Sequence, residues 1–152
     1  VAIELPDLHE VVHLLQQKSD LPRGRLLILG SADVHVSREQ YQNLMQGYKF
    51  EPAMIPEVLT PFSLGESLGF QTTETLDVNG EATISHNLME AVPVHLHEKY
   101  DLIIDAGVLF WCFNPGLALE NILRMLKPGG DVLHITAVSG FYGRGYYNIH
   151  PK

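Results

Sequence analysis

Cysteine occurs once in this chain of 152 residues, at Cys112, so no disulfide can close within it. Without a covalent staple the chain must rely on a hydrophobic core, and its length suits one domain (1–152) with a sizeable one. A lone cysteine fits a reducing compartment, and the expected location is the cytoplasm. Positive charge is also scarce: ten Lys and Arg stand against eighteen Asp and Glu, a net charge of −8. Nucleic acid is thereby excluded as a bulk partner, because binding phosphates needs a basic face. A small cationic ligand is not excluded. No apolar run approaches the roughly 20 residues of a membrane span, and no signal-peptide pattern is present, so no membrane partner is expected. Internal repeats and low-complexity stretches are missing too. Charged residues make up 18% and hydrophobic ones 45%, the balance of a globule rather than a disordered chain. The first residue is Val1 rather than Met, which suggests a trimmed or partial product.

What is present is clearest between residues 100 and 136, YDLIIDAGVLFWCFNPGLALENILRMLKPGGDVLHIT. Residues 100–106 are apolar apart from Asp101 and Asp105, as in a short strand buried on both faces. Asn114 can cap a helix and Pro115 suits its first position. Leu119, Ile122, Leu123 and Leu126 recur at helical spacing, and Arg124 and Lys127 are read into the last turn, where cations favour the helix dipole. Pro128-Gly129-Gly130 is read as the stop and turn, and residues 131–136 as a second apolar strand. A helix between two such strands implies a right-handed βαβ crossover and a parallel sheet, whose ligands collect at the carboxyl ends of the strands. That places Asp105, Ala106 and Gly107 at the mouth of a candidate site.

This stretch resembles the fourth strand, following helix and fifth strand of class I S-adenosylmethionine (SAM)-dependent methyltransferases, with the Lys-Pro-Gly-Gly turn as the most family-like element. Upstream, Asp7 and Glu10 have capping-box spacing ahead of an apolar face made by Leu8, Val11, Val12 and Leu15. Residues 25–29 read as a buried strand ending at Gly30. Ser37 and Gln40 predict a helix over 38–45, residues 47–61 an irregular connection, and residues 62–68 a short helix. Residues 72–76 form a strand ended by Asp77, and residues 82–88 a third. The expected fold is Rossmann-like α/β: a three-layer αβα sandwich with a mainly parallel sheet of about five strands in the order 3-2-1-4-5. LLILGSADVHVS, LGFQTTETLDVNGEATISHNLMEAVP and FYGRGYYNIHP extend the resemblance over residues 26–151, toward a bacterial subgroup of methyltransferase-domain proteins.

The resemblance implies SAM as cofactor and a small molecule or saccharide as methyl acceptor. It places Gly30 and Ser31 in the loop after the first strand, Asp77 at the second and Asn87-Leu88 after the third. Chemically, a carboxylate such as Asp77 can accept both ribose hydroxyls, and Gly30 lets backbone approach the methionine part. Asn87 can bond an adenine edge, and Asp105 completes the cofactor-binding set. Trp111, Tyr142 and Tyr146 are candidates for the acceptor pocket, and His150 for a base. The first loop keeps one glycine where the family usually has more. After the fourth strand the chain reads Leu109-Phe110-Trp111, where relatives of the subgroup often show Leu-Glu-His. A non-catalytic Rossmann-like binding module therefore stands beside the enzyme reading.

His9-Glu10-Val11-Val12-His13 matches H-E-x-x-H, which gives a remote third reading as a zinc hydrolase, with Glu39 as a conceivable further ligand. Glu10 is read instead as the capping-box partner of Asp7. His95 and His97 are expected to face solvent, and His134 to be a satisfied core histidine. The family fold normally adds two strands beside the fifth. The fifth strand is thus expected to be an open edge, covered by a second copy of the chain in a homodimer or by residues 141–152.

Overall fold

The computed structural model describes residues 2–136 and 143–147. Its centre is a parallel sheet of five strands: β2 (Arg25–Leu29), β4 (Thr72–Asp77), β5 (Ile84–Ser85), β6 (Tyr100–Asp105) and β7 (Leu126–His134). Their spatial order is β5-β4-β2-β6-β7, which is 3-2-1-4-5 when these strands alone are counted. Leu26, Leu27, Ile28 and Leu29 of β2 and Leu102, Ile103 and Ile104 of β6 are wholly buried, because helices cover both faces. On one face Leu26, Ile28, Leu102 and Ile104 pack with α1 (Leu5–Gln17), α2 (Arg38–Tyr48) and α3 (Pro61–Ser67). On the other, Leu27, Leu29 and Ile103 meet Ala118, Ile122 and Met125 of α4 (Pro115–Met125) and the loop residues Leu88, Val92 and Leu96. The fold is the expected Rossmann-like α/β sandwich.

Local signals placed most helix starts. The Ser37 hydroxyl accepts a hydrogen bond from Gln40 N–H at 3.2 Å and Gln40 Oε1 accepts one from Ser37 N–H at 2.9 Å, so α2 begins where the capping box put it. Asn114 accepts from Leu117 N–H at 3.1 Å and Pro115 opens α4. The first helix differs. Glu4, not Asp7, is its cap, and Asp7 sits one turn in, accepting from Glu4 N–H at 2.7 Å. Capping therefore does not account for Glu10. The end of α4 also differs. Leu126 and Lys127 already belong to β7, and Pro128-Gly129-Gly130 forms an irregularity within that strand rather than the stop of the helix. Ala118, Asn121, Ile122 and Met125 make its buried face, while Leu123 is exposed.

Lys127 gains a role by this. Its ammonium lies 3.0 Å from both oxygens of the buried Asp101, which also accepts from Arg25 N–H at 2.7 Å. The third sheet strand is shorter than expected, because Thr75 and Thr83 exchange side-chain bonds with each other's backbone N–H (3.0 and 3.1 Å) where a backbone ladder would run. Two further strands, β1 (Ala2–Ile3) and β3 (Asp33–Val34), pair in parallel as a separate ribbon that the sequence did not announce. Each is too short to show a period.

Gly65 illustrates how tightly α3 sits on the sheet. A Cβ there would land on the Thr73 hydroxyl. Gly65→Ala is expected to cost about 1–3 kcal/mol, as overpacking does. Urea denaturation measures it, and an unchanged midpoint would show that the contact yields.

Candidate functional site

The carboxyl ends of β2, β4 and β6 carry two adjoining cavities. The first, of about 360 Å³, is lined by residues including Asp77, His86, Asn87, Leu88, Val108 and Trp111. The second, of about 670 Å³, lies between the β1–β3 ribbon and the segment after β6. Trp111, in a 3₁₀ turn over Leu109–Trp111, lines both.

Asp77 is half-buried at the end of β4, facing the loop after β2. Its Oδ2 accepts from Ser31 N–H at 2.8 Å and from the Ser31 hydroxyl at 3.0 Å. Its Oδ1 accepts from Val78 N–H at 2.6 Å and Asn79 N–H at 3.4 Å. Burial alone would raise its pKa, but the donors of Ser31, Val78 and Asn79 prevail and hold the carboxyl below the usual carboxylate range. The charge is therefore kept beside an apolar slot. Gly30 makes the approach of the two loops possible. It has φ of +87°, a region open to glycine, and its N–H donates to Leu76 O at 2.7 Å. Gly30 and Ser31 thus act beneath Asp77 rather than as walls of the first cavity.

Asn87 and Leu88 follow β5. Asn87 Oδ1 accepts from Met89 N–H at 3.0 Å, so its amide NH₂ is the group it can offer. The buried Asn121 of α4 donates to Leu88 O and Glu90 O, each at 2.7 Å, and fixes this turn. Met89, Val108 and Cys112 complete the apolar lining, and burial, with the Asp105 charge beside it, pushes the Cys112 thiol up. Sequence reasoning missed His86, Val108 and Cys112, whose places depend on loop paths rather than on any local pattern.

Asp105 requires a correction. It is fully buried, with Oδ1 accepting from Val108 N–H at 2.7 Å and Oδ2 lying 2.9 Å from His134 Nδ1. Its carboxylate is spent on the protein and shapes the loop after β6 instead of meeting a cofactor. His134 is satisfied by the same contact, as expected. Tyr146 is exposed and lines neither cavity; its N–H donates to Phe110 O at 2.7 Å and its ring meets Phe113 edge-on at 5.5 Å. Tyr142 and His150 lie outside the described residues.

The zinc reading loses its geometry. His9 Nδ1 sits 3.2 Å from Tyr48 Oη and His13 Nε2 sits 3.0 Å from Gln17 Nε2. Among the described residues no three His, Cys, Asp or Glu side chains are placed to hold a metal ion. His95 is exposed as expected, whereas His97 is half-buried with Nε2 3.2 Å from Val92 O. No helix among the described residues is long and apolar enough to cross a membrane.

A parallel sheet in this order, with cavities over its carboxyl ends and an acid closing the second strand, defines a Rossmann-like domain. Residues 70–134 match the family model of a methyltransferase domain, a segment that spans β4 to β7 and every residue lining the first cavity. The match is consistent with the class I SAM-dependent methyltransferases and bears out the resemblance carried by residues 100–136. A comparison with curated proteins gives no match.

Proposed function

We propose that the first cavity binds the adenosine part of SAM and that the chain transfers its methyl group to a small-molecule acceptor, with a saccharide as one candidate class. The observation that carries this reading is the convergence of Asp77, Asn87 and Leu88, three residues separately placed by the resemblance, on one cavity. The donor set fits the group. Asp77 is kept ionised and can accept from ribose hydroxyls, while Leu76, Leu88, Met89 and Val108 offer apolar contact to a base. Both Asp77 oxygens already receive two donors, so the ribose takes the place of the rotatable Ser31 hydroxyl and of the long Asn79 bond.

Bound there, SAM supplies an electrophilic methyl group. The residues of the chain align donor and acceptor and keep water out. Trp111 stands at the boundary between the cavities, where it touches both ligands. The non-catalytic reading draws on a different observation. In the loop after β2, Asp33–Val34 pairs with β1, and α2 begins only beyond it, at Arg38, rather than directly after the strand.

Trp111 is the sole tryptophan and is 48% exposed, so its fluorescence reports the site directly. Titration with S-adenosylhomocysteine (SAH), by fluorescence and calorimetry, is expected to show saturable one-to-one binding. Absence of heat and of a fluorescence change would remove the cofactor reading. Binding of SAM without transfer to any acceptor in a small-molecule panel would favour the non-catalytic module.

A further inference from the structure

The second cavity is chemically unlike the first. Its inner wall is the Gly107–Trp111 segment after β6, and its outer wall carries the carboxylates of Glu4, Asp7 and Asp33. We infer that this chamber receives the cationic end of the acceptor, a small molecule with a protonated amine on an apolar or ring-shaped body. The inference rests on the cofactor reading above and names the class of acceptor.

Several independent features support it. Trp111 presents nearly half of its surface, and an indole face attracts a cation as well as an apolar ring. The carboxylates are incompletely compensated. Asp7 is raised by burial first, and the neighbouring Glu4 charge adds to the rise against the Glu4 N–H bond. Glu4 pairs with His35 at 3.0 Å, a partner that is charged only when protonated. The other cation of the lining, Arg144, is exposed and forms no ion pair among the described residues. Three acids facing one guanidinium leave a negative chamber, and a positive ligand relieves it.

The test uses three probes of one shape, cyclohexylamine, cyclohexanol and cyclohexanecarboxylate. Each is titrated into the SAH-saturated and the ligand-free chain with Trp111 fluorescence as readout. Cyclohexylamine is expected to bind at least about tenfold more tightly than cyclohexanol, weaken with salt, and lose about five- to tenfold in Asp33→Asn and more in the Glu4→Gln/Asp33→Asn double variant. Asp33 is exposed, so Asp33→Asn should keep the wild-type melting temperature and SAH affinity, which separates a local loss from misfolding. Equal affinity for amine and alcohol overturns the inference. A preference for the carboxylate gives the chamber to Arg144 and overturns it as well. Mutual exclusion of amine and SAH overturns it too, because the carboxylates would then serve the cofactor's own ammonium. Failure of SAH to bind sinks the cofactor reading alone, and the amine titration of the ligand-free chain still decides the chamber.

Discussion

Asp77→Ala is expected to lower the affinity for SAH by about 10–100-fold, the loss of one or two hydrogen bonds to a charged acceptor at roughly 1.5–3 kcal/mol each, partly offset by water. The same change should destabilise the fold by about 1–3 kcal/mol, because Ser31 N–H loses its acceptor. Calorimetry and urea denaturation separate the two effects. Asp77→Asn keeps one acceptor oxygen and should fall between wild type and alanine in both. Unchanged SAH affinity in the alanine variant would remove Asp77 from the ribose site. The carboxyl also has a signature in pH. Its folded pKa lies below its unfolded value. The stability it contributes is therefore fully present above the unfolded pKa and is lost as pH falls through the folded one. Wild type should lose this increment below about pH 4, and Asp77→Asn should show a shallower acid limb.

Asp105→Ala is expected to be the most damaging single change at the strand ends, costing roughly 3 kcal/mol. The carboxylate is wholly buried and joins two elements at once, the N–H of Val108 in the loop after β6 and the imidazole of His134 at the end of β7. Alanine leaves both donors without their carboxylate acceptor at a site where Asp105 itself is wholly buried. The loop it releases carries Trp111 and Cys112, so SAH affinity should fall with stability even though Asp105 lines neither cavity. Asp105→Asn retains an acceptor for Val108 N–H and should recover most of the affinity while remaining less stable than wild type. A loss below about 1 kcal/mol in the alanine variant, read from urea midpoints, would show that the contact is dispensable.

The two aspartates also mark how far the sequence could be read. Each closes a strand of the parallel sheet, β4 with the sequence TTETLD and β6 with YDLIID, and the position at a strand end does not by itself tell their roles apart. Asp77 sits on β4 opposite the Ser31 loop and keeps one side toward the first cavity. Asp105 sits on β6 between β2 and β7, where His134 comes into register beside it. Alignment of β7 with β6 is a long-range fact, and it turned an expected cofactor contact into a buried brace. Trp111 was legible as an aromatic at the site, but its place between two cavities depends on the loop packing over β6. The β1–β3 ribbon has no local signature for a different reason. Two residues in each strand carry no periodicity.

The sequence by itself determined the strand–helix–strand frame of residues 100–134 and the starts of α2 and α4, while the order of the five-strand sheet was implied by the family resemblance. The frame and the two starts follow from signals within a few residues: apolar runs long enough for a buried strand, Ser37 and Asn114 at their caps, Pro115 at a first turn. Only the tertiary structure decided where each polar side chain spends its hydrogen bonds. It assigned Lys127 to Asp101 rather than to a helix end, kept Asp77 at a cavity while sealing Asp105, and brought Glu4, Asp7 and Asp33 to face Trp111 across a chamber. Local propensity acts through neighbours in the chain, whereas the environment of a polar group at a strand end is made by segments tens of residues away.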